Sequence, residues 1–286
     1  MGFFTYDISK YPPAHMVALP LVLLGLSLIF LSFNTLTTGL PVDPGIDFAG
    51  GVGVTVFTPD SKEVLEEYFA GFPLRSVGES INDGKYMVFE QLDEEQFRAL
   101  TARIEERYPD AGIDQIGETF GKTLQSQALL ALLFSFAGMS VVVFVAFRTV
   151  IPSIAVVLSA FSDIVITAAF MNVLGISLTL GTTAALLMLI GYSVDSDILL
   201  TSKLLKRKGK LDEKLEGAFR TGVIMTTTTL TAVAAMFVVS SLGQIIIIRD
   251  ISVVLLIGLV VDLMNTWMLN SGLLKWYLTA SKGGVK

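Results

Sequence analysis

Four carboxylates, Asp163, Asp195, Asp197 and Asp262, fall inside stretches otherwise apolar enough for a lipid bilayer, and Arg220 stands at the mouth of another. A charge near the bilayer centre costs at least ~2.5–3.5 kcal/mol on insertion scales, so such groups turn to a polar interior and mark an ion or substrate path. Burial and a neighbouring cation act on a carboxylate in opposite directions, and that balance lets it take up and release protons as helices move. A plainer reading is also open, in which Asp195 or Asp197 pairs with Arg220 or a basic loop and only fixes helix packing. Asp195 and Asp197 are two positions apart, so on a helix they leave about 200° apart and cannot both face one partner. One can face Arg220 while the other faces a neighbouring helix or subunit. At ~1.5 Å rise per residue, Asp163 and Asp262 lie near mid-membrane. They are either neutral or hydrogen-bonded to each other. Asp195 and Asp197 fall in the inner half, and Arg220 sits at the mouth of its span. Thr226–Thr229 and Asn265 lie close by in depth. The threonine hydroxyls either line the site or bond their own backbone. Gly191, Gly222 and Gly258 allow close helix approach.

Six apolar runs are available to position these groups: residues 16–36, 123–147, 150–171, 178–202, 221–242 and 245–276. A span needs ~20 mainly apolar residues. The composition agrees, with 52% hydrophobic residues and a mean hydropathy of +0.69. The first run is longer than a signal-peptide core and no small-x-small cleavage site follows it, so it reads as a retained anchor. Pro20 is tolerable in its first turn. The chain has no cysteine and one histidine, His15, which excludes disulfides, thiolate chemistry and a His-rich metal site.

Residues 37–122 differ in kind, being acidic with soluble-type patterns. Val52, Val54 and Val56 alternate with small residues, as in a strand. Ser61 is placed to cap a helix carrying Val64, Leu65, Tyr68 and Phe69. Residues 75–81 and 85–92 flank Asn82-Asp83-Gly84, a hairpin signal. Asp93 and Gln96 form a capping-box pattern for a helix ending near Tyr108-Pro109, and residues 112–119 read as a last strand. The order β-α-β-β-α-β is that of a ferredoxin-like module. Lys and Arg in short loops set orientation. Lys10, Arg148, the loop with Lys203, Lys206, Arg207, Lys208, Lys210 and Lys214, and the tail with Lys275, Lys282 and Lys286 share one side, which makes both termini cytoplasmic. Arg249 and Asp250 mark an outer boundary.

The expected fold is therefore a polytopic α-helical membrane protein with six transmembrane helices and a ferredoxin-like α+β extracytoplasmic domain between the first two. Its parts are residues 1–36 (N-terminus and first span), 37–122 (outer domain), 123–276 (five-helix bundle) and 277–286 (cytoplasmic tail).

Four segments carry a family resemblance. Gly45-Ile-Asp-Phe-Ala-Gly-Gly51 resembles the GIDFxGG signature of SecF, the smaller partner of SecD in protein export; on spacing alone its Asp47 caps a local turn or binds a neighbour, and Gly45, Gly50 and Gly51 make a sharp turn. Phe161-Ser-Asp-Ile-Val-Ile-Thr167 is similar to the third-span Asp segment of that family. Ile190-Gly191-Tyr192-Ser193-Val194 resembles its IGYS segment, and Arg220-Thr-Gly-Val-Ile-Met-Thr226 the Arg-Thr segment opening the fifth span. The family reads IGYSxND, whereas this chain has Asp195-Ser196-Asp197; the family's Asp position holds Ser196, with an acid on either side, as in archaeal members. The resemblance implies an RND-type accessory subunit of the Sec machinery in the cell membrane. It implies SecD, the Sec channel and the translocating unfolded polypeptide as partners, use of the proton gradient, Arg220 with a fourth-span carboxylate as the proton-linked pair, no cofactor, no metal and no nucleic acid. The alternative is half of an RND-type exporter of a small molecule or lipid. A purely structural scaffold is a third possibility. An enzyme is not expected: an intramembrane aspartyl protease needs a Gly-x-Gly-Asp segment, which the sequence lacks.

Overall fold

The computed structural model describes residues 11–79 and 83–283; Lys10, Asn82 and Lys286, invoked above as boundary charges and a turn residue, lie outside the described residues. The first helix, α1 (Pro13–Thr38), starts on Pro13, where proline's missing N–H removes no helical bond. Pro20 was expected in the first turn but lies about two turns in, because the helix begins three residues before the apolar run. Gly39, at φ 85°, closes α1 by donating its N–H to the Thr35 carbonyl, a left-handed cap.

An α/β module, outer in the sense that it lies outside the helical bundle, follows: the turn α2 (Ile46–Ala49), β1 (Gly51–Phe57), α3 (Lys62–Tyr68), β2 (Leu74–Glu79), β3 (Gly84–Phe89), α4 (Glu94–Arg107) and β4 (Gly112–Ile116). All strand pairs are antiparallel, and the order β2-β3-β1-β4 with two helices is ferredoxin-like. Alternation turns Val52, Val54 and Val56 to one face, where they are buried with Met87 and Phe89 against Leu65, Phe69, Leu100 and Ile104. Asp93 and Gln96 form the reciprocal cap of α4. Ser61 occupies the N-cap position of α3 without making the capping bond. That helix is held instead by burial of Leu65 and Phe69.

One polar clasp closes the module. Asp60 Oδ2 accepts hydrogen bonds from the Tyr108 hydroxyl (2.7 Å) and Arg107 Nη2 (2.9 Å), and the Arg107 guanidinium lies 4.8 Å from the Tyr68 ring centroid. The Tyr108 hydrogen bond foremost, helped by the Arg107 charge, holds the Asp60 carboxyl below its ordinary range against the opposing effect of burial. Burial, then the same hydrogen bond, pushes the Tyr108 phenol up to about 12.

Five membrane-type helices and a final short one complete the chain: α5 (Glu118–Phe147), α6 (Val150–Val173), α7 (Leu180–Lys206), α8 (Leu211–Leu242), α9 (Ile246–Met264) and, after a π-helical turn (Asn265–Asn270), α10 (Ser271–Gly283). Among the described residues, α1, α5, α6, α7 and α8 are long and apolar enough to cross a membrane by length and composition. The 19-residue α9 carries Arg249, Asp250 and Asp262. Two helices begin earlier than their apolar runs. α5 starts at Glu118, with only Gly117 between it and β4, and Lys122 is paired to Glu118 one turn back. α8 starts at Leu211, nine positions before Arg220, because the basic loop is largely helical. There Lys203 Nζ donates to the Gly217 carbonyl (2.9 Å) and Thr221 Oγ1 (2.6 Å), and Lys214 Nζ to the Leu204 carbonyl (3.0 Å). These bonds tie α7 to α8.

The clasp gives a pH signature. Tyr108→Phe should destabilise the outer module by about 0.5–1.5 kcal/mol near neutral pH, the net worth of one hydrogen bond. Because Asp60 titrates below its unfolded value, its contribution is complete above the unfolded pKa and is lost as pH falls through the folded one. The gap between wild type and variant should therefore narrow below about pH 4. Denaturant unfolding of the full chain in detergent, followed by proteolysis within α4, measures it; a gap independent of pH would refute the assignment.

Candidate functional site

The apolar bundle encloses a cluster of three carboxylates. Asp163 on α6, Asp197 on α7 and Asp262 on α9 are 0%, 0% and 1% exposed. Helical phase explains the choice on α7: Ser193, Ser196 and Asp197 face inward, whereas Gly191, Tyr192 and Asp195 face outward. Each carboxylate is met by a neutral donor. Asp163 Oδ2 accepts from the Ser193 hydroxyl (2.5 Å) and its Oδ1 from Asn265 Nδ2 (2.7 Å). Asp197 Oδ1 accepts from Asn270 Nδ2 (2.7 Å), and Asp262 Oδ1 from Thr266 Oγ1 (3.1 Å). Ser193 and Ser196 also border Asp262. Asp262 is near enough to both other carboxylates for like-charge repulsion. Asp163 and Asp262 do not hydrogen-bond to each other directly; they are joined through Ser193 and the π-turn.

None of the ion pairs among the described residues reaches this cluster. Among the described residues, no three acidic or histidine side chains converge closely enough to hold a metal ion. Burying an isolated charge without a partner is strongly unfavourable, and three negative charges in one low-dielectric pocket also repel one another. The arrangement therefore suits proton exchange: neutral amides and hydroxyls serve a carboxylate or a carboxylic acid equally well.

Arg220 stands apart. It is exposed on α8 and forms no ion pair with Asp195 or Asp197 in this chain; Asp195 is exposed too. The threonines after Arg220 mostly satisfy themselves, Thr228 and Thr229 donating to the Met225 carbonyl and Thr231 to Thr227. Gly222 and Gly258 do allow close approach, to Trp267 and Leu189 respectively, while Gly191 borders open space. Asn270 and Thr266 escaped the reading from sequence. Two asparagines in an apolar helix were the available signal.

The family described as protein export membrane protein SecD/SecF, C-terminal, matches residues 96–280. The protein-export membrane protein SecF of Methanolacinia petrolearia is 68% identical over 284 residues, covering 99% of this chain and 100% of that relative. The chain belongs to the SecF family. SecF of Haloferax volcanii is 44% identical over 95% of this chain and 94% of its own. Among solved structures, SecDF of Thermus thermophilus, a translocon-associated membrane protein, superposes with a TM-score of 0.77 at 21% identity, covering 96% of this chain and 39% of that one. SecDF in a super-membrane-facing form superposes at 0.60 with 19% identity, over 99% and 40%. The chain thus has the fold of the superposed part of SecDF and spans two-fifths or less of those solved chains.

Residues 41–47, which lead into and open the SecF signature at residues 45–51, form a latch. It binds the α6–α7 corner: the Gly45 N–H donates to the Leu178 carbonyl (2.8 Å), and the Leu178 N–H to the Asp43 carbonyl (2.7 Å). Asn172 Nδ2 donates to the Pro41 carbonyl (2.6 Å). Asp47 does not cap its own turn. Its Oδ2 accepts the Leu180 N–H (2.9 Å) from 133 residues away, adding to the reciprocal cap that Thr179 and Thr182 make for α7. Gly45 is required by proximity, since a Cβ there would lie 2.6 Å from Thr179 Cγ2. Gly50 and Gly51 adopt φ of 75° and 121°, which L side chains avoid.

Asp47→Ala should remove this bond at a cost of about 0.5–1.5 kcal/mol. It should appear as a lower melting temperature in detergent and as faster hydrogen exchange at Leu180, with Asp47→Asn, which keeps an acceptor, retaining most of the protection. Unchanged exchange at Leu180 would mean that Asp47 does not hold its N–H.

Proposed function

We propose that this chain is an accessory subunit of the Sec protein-translocation machinery that, with SecD, uses the proton gradient to promote export of polypeptide across the cytoplasmic membrane. The observation that carries the reading is the cluster of Asp163, Asp197 and Asp262, wholly buried and met by neutral donors alone. A group of this kind changes its proton count when its helices move, and moves them when its proton count changes. In this reading the chain crosses the membrane six times, α9, the π-turn and α10 making the last span. Both termini are cytoplasmic, and the module of residues 37–122 stands outside, where the emerging unfolded polypeptide passes. The basic α7–α8 connection supports that orientation.

Asp195 and Arg220 support a partner. Both are exposed on membrane helices of the isolated chain, where lipid would be a costly neighbour. SecD, named with SecF in the matching family and fused with it in the name SecDF, is the subunit proposed to cover them and to bring the pair to the Sec channel. Arg220 then meets a carboxylate across the interface rather than within this chain.

Export of a reporter in cells carrying SecD and variants of this chain tests the reading. Asp163→Asn, Asp197→Asn and Arg220→Gln should each slow maturation by about tenfold or more, the equivalent of losing a charge-assisted bond of ~1.5–3 kcal/mol. Asp197→Glu should be milder. Normal export in all three variants would sink the coupling role.

A further inference from the structure

Asn265 and Asn270 hold different carboxylates on different helices, yet sit five positions apart on one short segment. In an α-helix five positions turn about 500°, leaving two side chains about 140° apart. They could not both reach one cluster. Here the segment Asn265–Asn270 is π-helical, and the Ser271 N–H reaches the Thr266 carbonyl five residues back. Bonding from i to i+5 adds a residue to the turn and brings positions 265 and 270 toward one face. Both asparagines are 0% exposed.

The winding is gripped from outside. Trp267 packs where a Cβ of Gly222 on α8 would lie 2.4 Å from Cζ2, and meets Phe219 edge-on with centroids 5.0 Å apart. Beyond the turn, Gly272 abuts α1, a Cβ there falling 2.7 Å from Val17 Cγ2 and 3.3 Å from Met16 Cβ. Return to α winding would rotate everything after the turn by about 100°. It would carry Asn270 off Asp197 and unseat Gly272.

We infer that the π-turn Asn265–Asn270 is a positioning device that lets one segment hold Asp163 through Asn265 and Asp197 through Asn270 at the same time. The two asparagines are positioning residues acting through those carboxylates. This rests on the reading of the cluster as the proton-coupling site. The titratable groups near Asp163 are Asp262 on α9 and Asp197 on α7, and those near Asp197 are Asp262 and Asp163.

Labelling by dicyclohexylcarbodiimide, a lipophilic reagent for carboxylic acids, tests the inference on the full chain in complex with SecD, with mass spectrometry resolving each aspartate. Asn270→Leu should shift the pH midpoint of labelling at Asp197 by about one unit or more and that at Asp163 by clearly less; Asn265→Leu should do the reverse, as expected for removal of one hydrogen bond to one carboxylate. Asn270→Ser, whose hydroxyl is too short to reach Asp197, should repeat the first pattern and serves if the leucine variant does not fold. No shift, or equal shifts at both aspartates, would overturn the inference. Labelling does not depend on transport. If these site-selective shifts appear while Asp197→Asn exports normally, the positioning role stands and the proton-coupling role falls.

Discussion

Three carboxylates share one water-poor pocket with no cation among their partners, and much of the bundle is explained by that constraint. Asp163, Asp197 and Asp262 come from three helices, so α6, α7 and α9 must meet at one depth. Small and polar residues make this possible. Ser193 and Ser196 face the carboxylates, and Gly258 lets α9 close on Leu189 of α7. The same constraint accounts for the neutrality of the lining. A fixed lysine or arginine would lock the acids in the charged state, whereas amides and hydroxyls tolerate both states.

The end of the bundle at the α6–α7 corner obeys a different rule. There the polar backbone at the corner of α6 and α7 has to be satisfied, and the segment after α1 supplies the partners. Pro41, Asp43, Gly45 and Asp47 all bond to residues 172–180. The signature is thus backbone joinery. Its glycines are there because the chains approach too closely for side chains, and its acid is there because a helix N-terminus needs an acceptor.

What could be read from the sequence was whatever depends on neighbours along the chain. The alternation of Val52, Val54 and Val56, the spacing of Asp93 and Gln96, and the long apolar runs are local, and strands, cap and helices follow from them. The opposed directions of Asp195 and Asp197 are likewise a matter of helical phase, though not which of the two turns inward. Three things were out of reach. Asp47 finds its partner 133 residues on. Arg220 reads as the start of a span only if the basic loop is taken as irregular, and the lysines there instead bond across α7 and α8. The roles of Asn265 and Asn270 depend on a winding that breaks the 3.6-residue period on which any facing argument stands.

The cap on Leu180 and the carboxylate of Asp197 belong to one uninterrupted helix. Seventeen residues separate them, about 26 Å at 1.5 Å per residue. A helix of that length, free of internal proline or glycine pairs, behaves as an axle rather than a spring. A rotation of this helix as a body that draws Leu180 off Asp47 also turns Asp197 relative to Asn270. The contact at one end and the buried acid at the other are thus tied to a single lever.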